Sequence, residues 1–145
     1  MSFDHGIALR EIANGDDSAF ACLNTLFDWV HAFDDILDRD KPVLLPWPVL
    51  ANLRALECVA SNAFFQKHKA TLLPILQTSA LSYIDSERFR VHPDPLYRIG
   101  SQVLKSSYQD FFFAVARITG GEEFMVKMSA KYRGIDADPA PAPTP

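Results

Sequence analysis

The chain has 145 residues, of which 48% are hydrophobic, and a formal net charge of −4. This length is typical of one domain, and the apolar content is enough for a hydrophobic core without a metal or a disulfide. Basic and acidic residues are mixed along the chain without a basic stripe, which argues against a nucleic-acid-binding module. No apolar run approaches the ~20 residues of a membrane span, and the N-terminus lacks the pattern of a signal peptide. We therefore expect a protein that is not secreted by a signal peptide.

Residues 1–16 are a short mixed lead-in, which we expect to be a helical turn or an extended segment that ends at Asn14-Gly15. Asp16 or Asp17 is suited to cap the first long helix, because a carboxylate accepts hydrogen bonds from the free N–H groups there. Apolar residues at helical spacing predict that this helix runs from Asp17 to about Asp38. A narrow polar sector lies opposite its apolar stripe and contains Asn24, Asp28, His31, Asp35 and Asp38, whereas Asp34 lies on the border.

Pro42, Pro46 and Pro48 predict an extended connection over residues 41–48. Apolar periodicity and start signals then predict four further helices, over residues 48–66, 71–89, 95–119 and 122–133. In the second helix, large residues such as Leu50, Leu53 and Leu56 share the spacing of an apolar face. Cys22 and Cys58 lie within apolar helical patterns, which favours buried free thiols over a disulfide.

Residues 135–145 are rich in proline and cannot pack a core, so we expect an extended, polyproline-like tail. No strand pattern of period two occurs in the chain. The fold class is therefore all-α, an irregular bundle of four to five helices over residues 17–134.

Asp34-Asp35-Ile36-Leu37-Asp38 has the form DDxxD. In these five residues the chain resembles class I isoprenyl diphosphate synthases, whose aspartate-rich motif also lies on a helix. Carboxylates four residues apart share one helix face and can bind hard cations together with a diphosphate. The resemblance implies that Asp34 and Asp38 bind Mg²⁺ with support from Asp35. This alternative requires other charged groups, such as Asp110, Arg98 or Lys105, to face Asp34 and Asp38 across a cavity.

A related alternative is a nucleotide-hydrolysing enzyme. All-α nucleoside-triphosphate pyrophosphohydrolases also hold Mg²⁺ on acidic helices, but their paired acidic motifs have only the isolated Glu57 and Glu87 as counterparts here. Against both enzyme classes stands a simpler interpretation, in which Asp28, Asp35 and Asp38 form a solvated helix face. Acids near a helix C-terminus are unfavourable by ~0.3–1 kcal/mol each, which favours a cationic partner for this face.

Three further segments of the sequence support a different class of protein, one without an enzymatic activity. They are Asn62–Pro74, Ser82–Glu87, and Gly120-Gly121 with Lys131-Tyr132-Arg133. Over roughly residues 17–135 the chain resembles small uncharacterised proteins of tailed bacteriophages and prophages. The resemblance implies a virion or assembly component, located in the cytoplasm or in the virion, and brings no catalytic residues.

The predicted function is therefore that of a non-enzymatic helical protein that binds a protein partner or its own copies. Phe111-Phe112-Phe113 puts aromatic rings around most of its helix, so that this helix is either central to the core or contacts something else. We expect no cofactor, with Mg²⁺ only under the enzyme alternative. The predicted contact residues are Phe112 and Phe113, the acidic face Asp28, Asp35 and Asp38, and the tail prolines Pro139, Pro141 and Pro143.

Overall fold

A computed structural model of the chain describes residues 5–38 and 46–134, except for the side chain of Asp38. Within these residues it contains eight α-helices and one short 3-10 helix, and no strand. The α-helices are α1 His5–Ala13, α2 Asp17–Asp38, α3 Trp47–Ser61, α4 Ala63–Lys67, α5 Lys69–Arg90, α6 Pro95–Lys105, α7 Gln109–Gly120 and α8 Glu122–Tyr132; the 3-10 helix is Ser106–Tyr108.

The prediction of an all-α fold is confirmed, whereas four to five helices is too low a number for the described residues. The second predicted helix is divided at Asn62, where the backbone is extended and the side chain caps α4. The fourth is divided by the 3-10 helix. The bounds of α2 agree with the prediction, because Asp16 accepts a hydrogen bond from the Ala19 amide at 2.9 Å and begins the helix there.

The lead-in is a helix that contributes to the core. Leu9 and Ile12 of α1 are buried among residues of α2 and α7. Asn14 (φ 50°) and Gly15 (φ 84°) both adopt positive φ, which reverses the chain between α1 and α2. Hydrogen bonds of 3.0 Å, from Asn14 to the Thr119 carbonyl and from the Thr119 hydroxyl to the Ile12 carbonyl, join this turn to α7.

Helix α7 lies at the centre of the core, because α1, α5 and α8 all pack against it. Phe111 is buried, and Phe112 and Phe113 are only 8% and 7% exposed. The prediction that Phe112 and Phe113 are exposed contact residues is therefore wrong. Phe112 contacts the rings of Phe27 and Tyr108, and the Arg133 guanidinium covers the ring of Phe113.

Ser18 and Asn62 form a polar junction between the start of α2 and the α3–α4 corner. The Asn62 amide donates to the Ser18 carbonyl at 3.0 Å, and its side-chain oxygen accepts from the Phe65 amide at 2.8 Å. The Ser18 hydroxyl in turn accepts a hydrogen bond from the Phe64 amide at 3.0 Å. These bonds satisfy free N–H groups of α4 and place Phe64 and Phe65 in the core.

None of the helices in the described ranges is both long enough and apolar enough to cross a membrane.

We expect Asn62→Ala to lower the free energy of unfolding by about 2 kcal/mol, because it removes the α4 cap together with the bond to Ser18. The matched control is Asn52→Ala, at an exposed position of α3, which we expect to change stability by less than ~0.5 kcal/mol. Denaturant unfolding followed by circular dichroism measures both. Equal effects of the two substitutions would contradict this role of Asn62.

Candidate functional site

Asp34 of α2 joins two helical hairpins, one made of α2 and α3 and the other of α5 and α6. Its carboxylate accepts a hydrogen bond from the Tyr83 hydroxyl of α5 at 3.0 Å and forms a 2.5 Å ion pair with Lys105 of α6. Burial alone would raise the pKa of Asp34, but the hydrogen bonds from Lys105 and Tyr83 outweigh it and hold that pKa below its usual value. The cationic partner was predicted for the face of Asp28, Asp35 and Asp38, whereas Lys105 pairs with Asp34, at the border of that face.

A small cavity of about 190 Å³ lies beside this ion pair. Its lining includes Val30, His31, Asp34, Tyr83, Gln102, Lys105, Ser106 and Tyr108. The cavity therefore combines one carboxylate and one ammonium group with several neutral donors and acceptors. Because Lys105 is in direct contact with Asp34, a cation that bound the Asp34 carboxylate would have to compete with the ammonium group.

The other two residues that the enzyme alternative invoked lie elsewhere. Arg98 donates hydrogen bonds to the His92 and Pro93 carbonyls at 2.8 Å. Asp110 accepts a hydrogen bond from Arg133 at 3.2 Å, on a separate groove of about 750 Å³ between α5, α7 and α8. Of the charged groups proposed to face Asp34, the structure brings only Lys105 to it.

The remaining acidic residues of α2 do not converge with Asp34 in the described part of the chain. Asp35 is exposed and accepts a 3.3 Å hydrogen bond from the indole of Trp47, whereas Asp28 is half-buried. The side chain of Asp38 lies outside the described residues, as do Pro139, Pro141 and Pro143 of the predicted contact set. Among the described residues, no group of three His, Cys, Asp or Glu side chains is close enough to hold a metal ion.

Helix α3 packs with its small side chains inward and its large ones outward. Ala51, Ala55 and Cys58 are buried, and the Cys58 and Cys22 thiols are in hydrogen-bonding contact between α3 and α2. Both cysteines are free thiols, in agreement with the prediction. Val49, Leu53 and Leu56 are 53, 55 and 59% exposed, so this part of the predicted apolar face lies on the surface. With Ala60, which is also exposed, they form what we call the α3 ridge.

Helix α6 has a second exposed apolar face. Its main packing partner is α5, which it meets through the buried Ser101, whose hydroxyl donates to the Ser86 carbonyl at 2.9 Å. Leu96, Ile99 and Val103 recur at the spacing of one helix face and are 74, 68 and 71% exposed. We call these three residues the α6 stripe. In the described part of the chain, no other element covers these side chains.

Comparison with protein-family models, curated proteins and solved structures gives no match to this chain. The fold establishes an all-α protein, and its function has to be inferred from its own residues.

The lowered pKa of Asp34 means that its ionised form stabilises the fold, and that this stabilisation is lost as the pH falls through the folded-state pKa. We expect Asp34→Asn to lower the free energy of unfolding by about 1 kcal/mol at neutral pH. The difference from the wild type should shrink below about pH 4 and vanish in stronger acid, where the wild-type carboxyl is also neutral.

The matched control is Asp85→Asn. Asp85 pairs with Arg88, which is 75% exposed, so we expect a change of no more than ~0.5 kcal/mol. Urea unfolding of the three proteins between acid and neutral pH measures these differences. A deficit of Asp34→Asn that persists unchanged in acid would show that the ion pair is not its cause.

Proposed function

We propose that this chain is a non-enzymatic helical protein that works through protein–protein contacts made by the α3 ridge and the α6 stripe. The observation that carries the proposal is that large aliphatic side chains at helical spacing lie outside the core on both helices. Scattered exposed apolar residues are normal, but contiguous rows of them are typical of interaction surfaces. Among the predicted contact residues, Phe112 and Phe113 belong to the core, and the α3 ridge and the α6 stripe take their place in this proposal.

The free energy of hydration explains why such rows favour association. Burying a Val, Leu or Ile side chain stabilises by roughly 1.5–3 kcal/mol relative to full exposure. Burial of the α3 ridge or of the α6 stripe against a partner would therefore stabilise a complex by several kcal/mol, a gain that packing within the described chain does not provide. On the resemblance of residues 17–135 to phage proteins, we place the resulting assembly in a phage particle.

The test compares the wild type with Leu53→Glu on the α3 ridge and Ile99→Glu on the α6 stripe. The control is Gln77→Glu, which adds the same charge at an exposed site on α5. We expect the wild type and the control to self-associate in light scattering or to retain a defined partner from the producing cells. At least one face variant should lose that association by a factor of ten or more, because burying one uncompensated charge costs several kcal/mol.

Circular dichroism must show that each variant keeps the helical content of the wild type. A wild type that is monomeric at all concentrations and retains no partner through either face would contradict the proposed function.

A second candidate function is a Mg²⁺-dependent activity on a diphosphate, and one observation favours it. Lys105 and Tyr83 meet Asp34 beside a cavity, so a cation, a hydroxyl donor and a carboxylate are available at one place. In this candidate Lys105 would turn from Asp34 to the diphosphate, while Asp34 took the metal ion. The non-enzymatic proposal is preferred because the ion pair already satisfies both charges.

Calorimetric titration distinguishes the two candidates. Under the proposed assembly function, we expect no heat of binding when Mg²⁺ and inorganic diphosphate are added to the wild type up to millimolar concentration. Under the enzyme alternative, Mg²⁺ and diphosphate bind the wild type, and binding weakens at least tenfold in both Asp34→Asn and Lys105→Gln. The Asp85→Asn variant serves as the control for loss of one carboxylate.

A further inference from the structure

A groove of about 750 Å³ lies between α5, α7 and α8, apart from the α3 ridge and the α6 stripe. Its apolar lining comes from all three helices and includes Ile75, Phe113, Ala114, Ile118, Met125 and Val126. Val126 is 61% exposed, and Ile118 and Met125 are only partly buried. Clefts that bind ligands have volumes of roughly 300–1,000 Å³ and are lined mainly by apolar side chains. The groove therefore offers apolar contact area that the described helices leave open.

The charges in this groove are positive on balance, although the chain as a whole has a net charge of −4. Two arginines and one aspartate line it. Arg133 pairs with Asp110 at 3.2 Å and lies over the ring of Phe113, so one end of the groove is already neutralised. Arg117 is exposed and has no ion-pair partner among the described residues. Because Arg117 follows Asp110 by seven residues along α7, it lies about 10 Å further along the groove.

The chain leaves the described structure at the Arg133 end of this groove. Gly134 follows α8 with a φ of 73°, which turns the backbone out of the helix. The next residues, Ile135-Asp136-Ala137-Asp138-Pro139, contain two carboxylates and no basic side chain. An extended chain advances ~3.1 Å per residue, so the four residues from Gly134 to Asp138 can span about 12 Å. Asp138 is therefore within reach of Arg117.

We propose that residues 135–138 of this chain lie in the groove between α5, α7 and α8, with the Asp138 carboxylate paired with Arg117. The segment is acidic where the groove has an unpaired cation, and Ile135 supplies an apolar side chain for the groove lining. Pro139 restricts Asp138 to extended backbone, which reduces the entropy that the contact costs. This inference goes beyond the proposed function, because it uses neither the α3 ridge nor the α6 stripe.

Covalent attachment favours this segment over the same segment of a second copy. A segment joined to the chain beside its site has an effective concentration on the order of millimolar, so that even a weak contact is populated. A second copy would have to supply the segment from free solution at a much lower concentration. While residues 135–138 occupy the groove, an acidic segment of a partner protein can enter it only by displacing them.

Nitrogen-15 relaxation of the whole 145-residue chain tests the proposal, because the order parameters of the amides of residues 135–138 report whether the segment is held. We expect order parameters above about 0.7 in the wild type, against values below about 0.6 for a free segment. Arg117→Glu and Asp138→Arg each bring like charges together, and we expect each to give the values of a free segment. The double exchange R117E/D138R restores the pair with its signs reversed and should return the order parameters to the wild-type range.

Two adjacent positions on α8 provide a matched pair of variants. Val126→Glu places a carboxylate inside the groove, where it repels Asp136 and Asp138, and we expect it to free the segment. Lys127→Glu places a carboxylate outside the groove, on the side of α8 near Glu11, and should leave the order parameters unchanged. Both side chains are exposed, so that neither substitution removes a core contact.

Several results would overturn the groove contact. They are low order parameters over residues 135–138 in the wild type, single charge substitutions that leave the segment ordered, and a double exchange no more ordered than the single ones. Equal effects of Val126→Glu and Lys127→Glu would attribute the order to overall charge and likewise contradict it.

Dilution separates the two possible sources of the segment. We expect the wild-type order parameters to be unchanged when the protein is diluted about tenfold, because an attached segment keeps its effective concentration. Loss of order on dilution would show that the segment in the groove belongs to a second copy, and would overturn the contact within one chain.

Discussion

The close packing of small side chains between α2 and α3 determines which side chains of α3 lie on the protein surface. Ala51, Ala55 and Cys58 occupy the buried face of α3, and Cys58 meets Cys22 of α2 directly. Small residues let two helix backbones approach closely, so little volume remains between them for larger groups. Leu53 and Leu56 would not fit that seam without separating the helices, since overpacking a dense core is itself destabilising. The large aliphatic residues of α3 therefore lie outside.

The second constraint is the contact between the hairpins at Asp34. Helix α6 packs mainly on α5, and α3 mainly on α2 and α4, so the outer parts of both hairpins have few other neighbours among the described elements. Asp34 receives a hydrogen bond from Tyr83 and an ion pair from Lys105, which are residues of α5 and α6. A polar contact at this place fixes the two hairpins relative to each other through a few directional bonds. The same bonds use the charge of Asp34 in the packing of the two hairpins.

The sequence predicts local features well here because they depend on neighbouring residues. The start of α2 at Asp17 and the end of α7 at Gly120 both depend on residues within one helical turn. The division of α3 from α4 is less visible, because the Asn62 side chain, which caps α4 locally, lies within an apolar helical pattern and is also bonded to Ser18, 44 positions away. The choice of the buried face depends on tertiary packing as well. Helix α3 has two faces without polar groups. Apolar periodicity predicts that the face with the larger side chains is buried, whereas the fold buries the face with the smaller ones.

The exposure of Phe112 and Phe113 on α7 is also predicted wrongly because burial depends on tertiary packing, but here the fold buries side chains that were expected on the surface. An isolated helix wheel leaves Phe112 and Phe113 outside the main apolar stripe, but α1, α5 and α8 surround this helix, so nearly every side of it is buried. Aromatic residues thus fill the centre, and aliphatic rows on α3 and α6 remain for contacts.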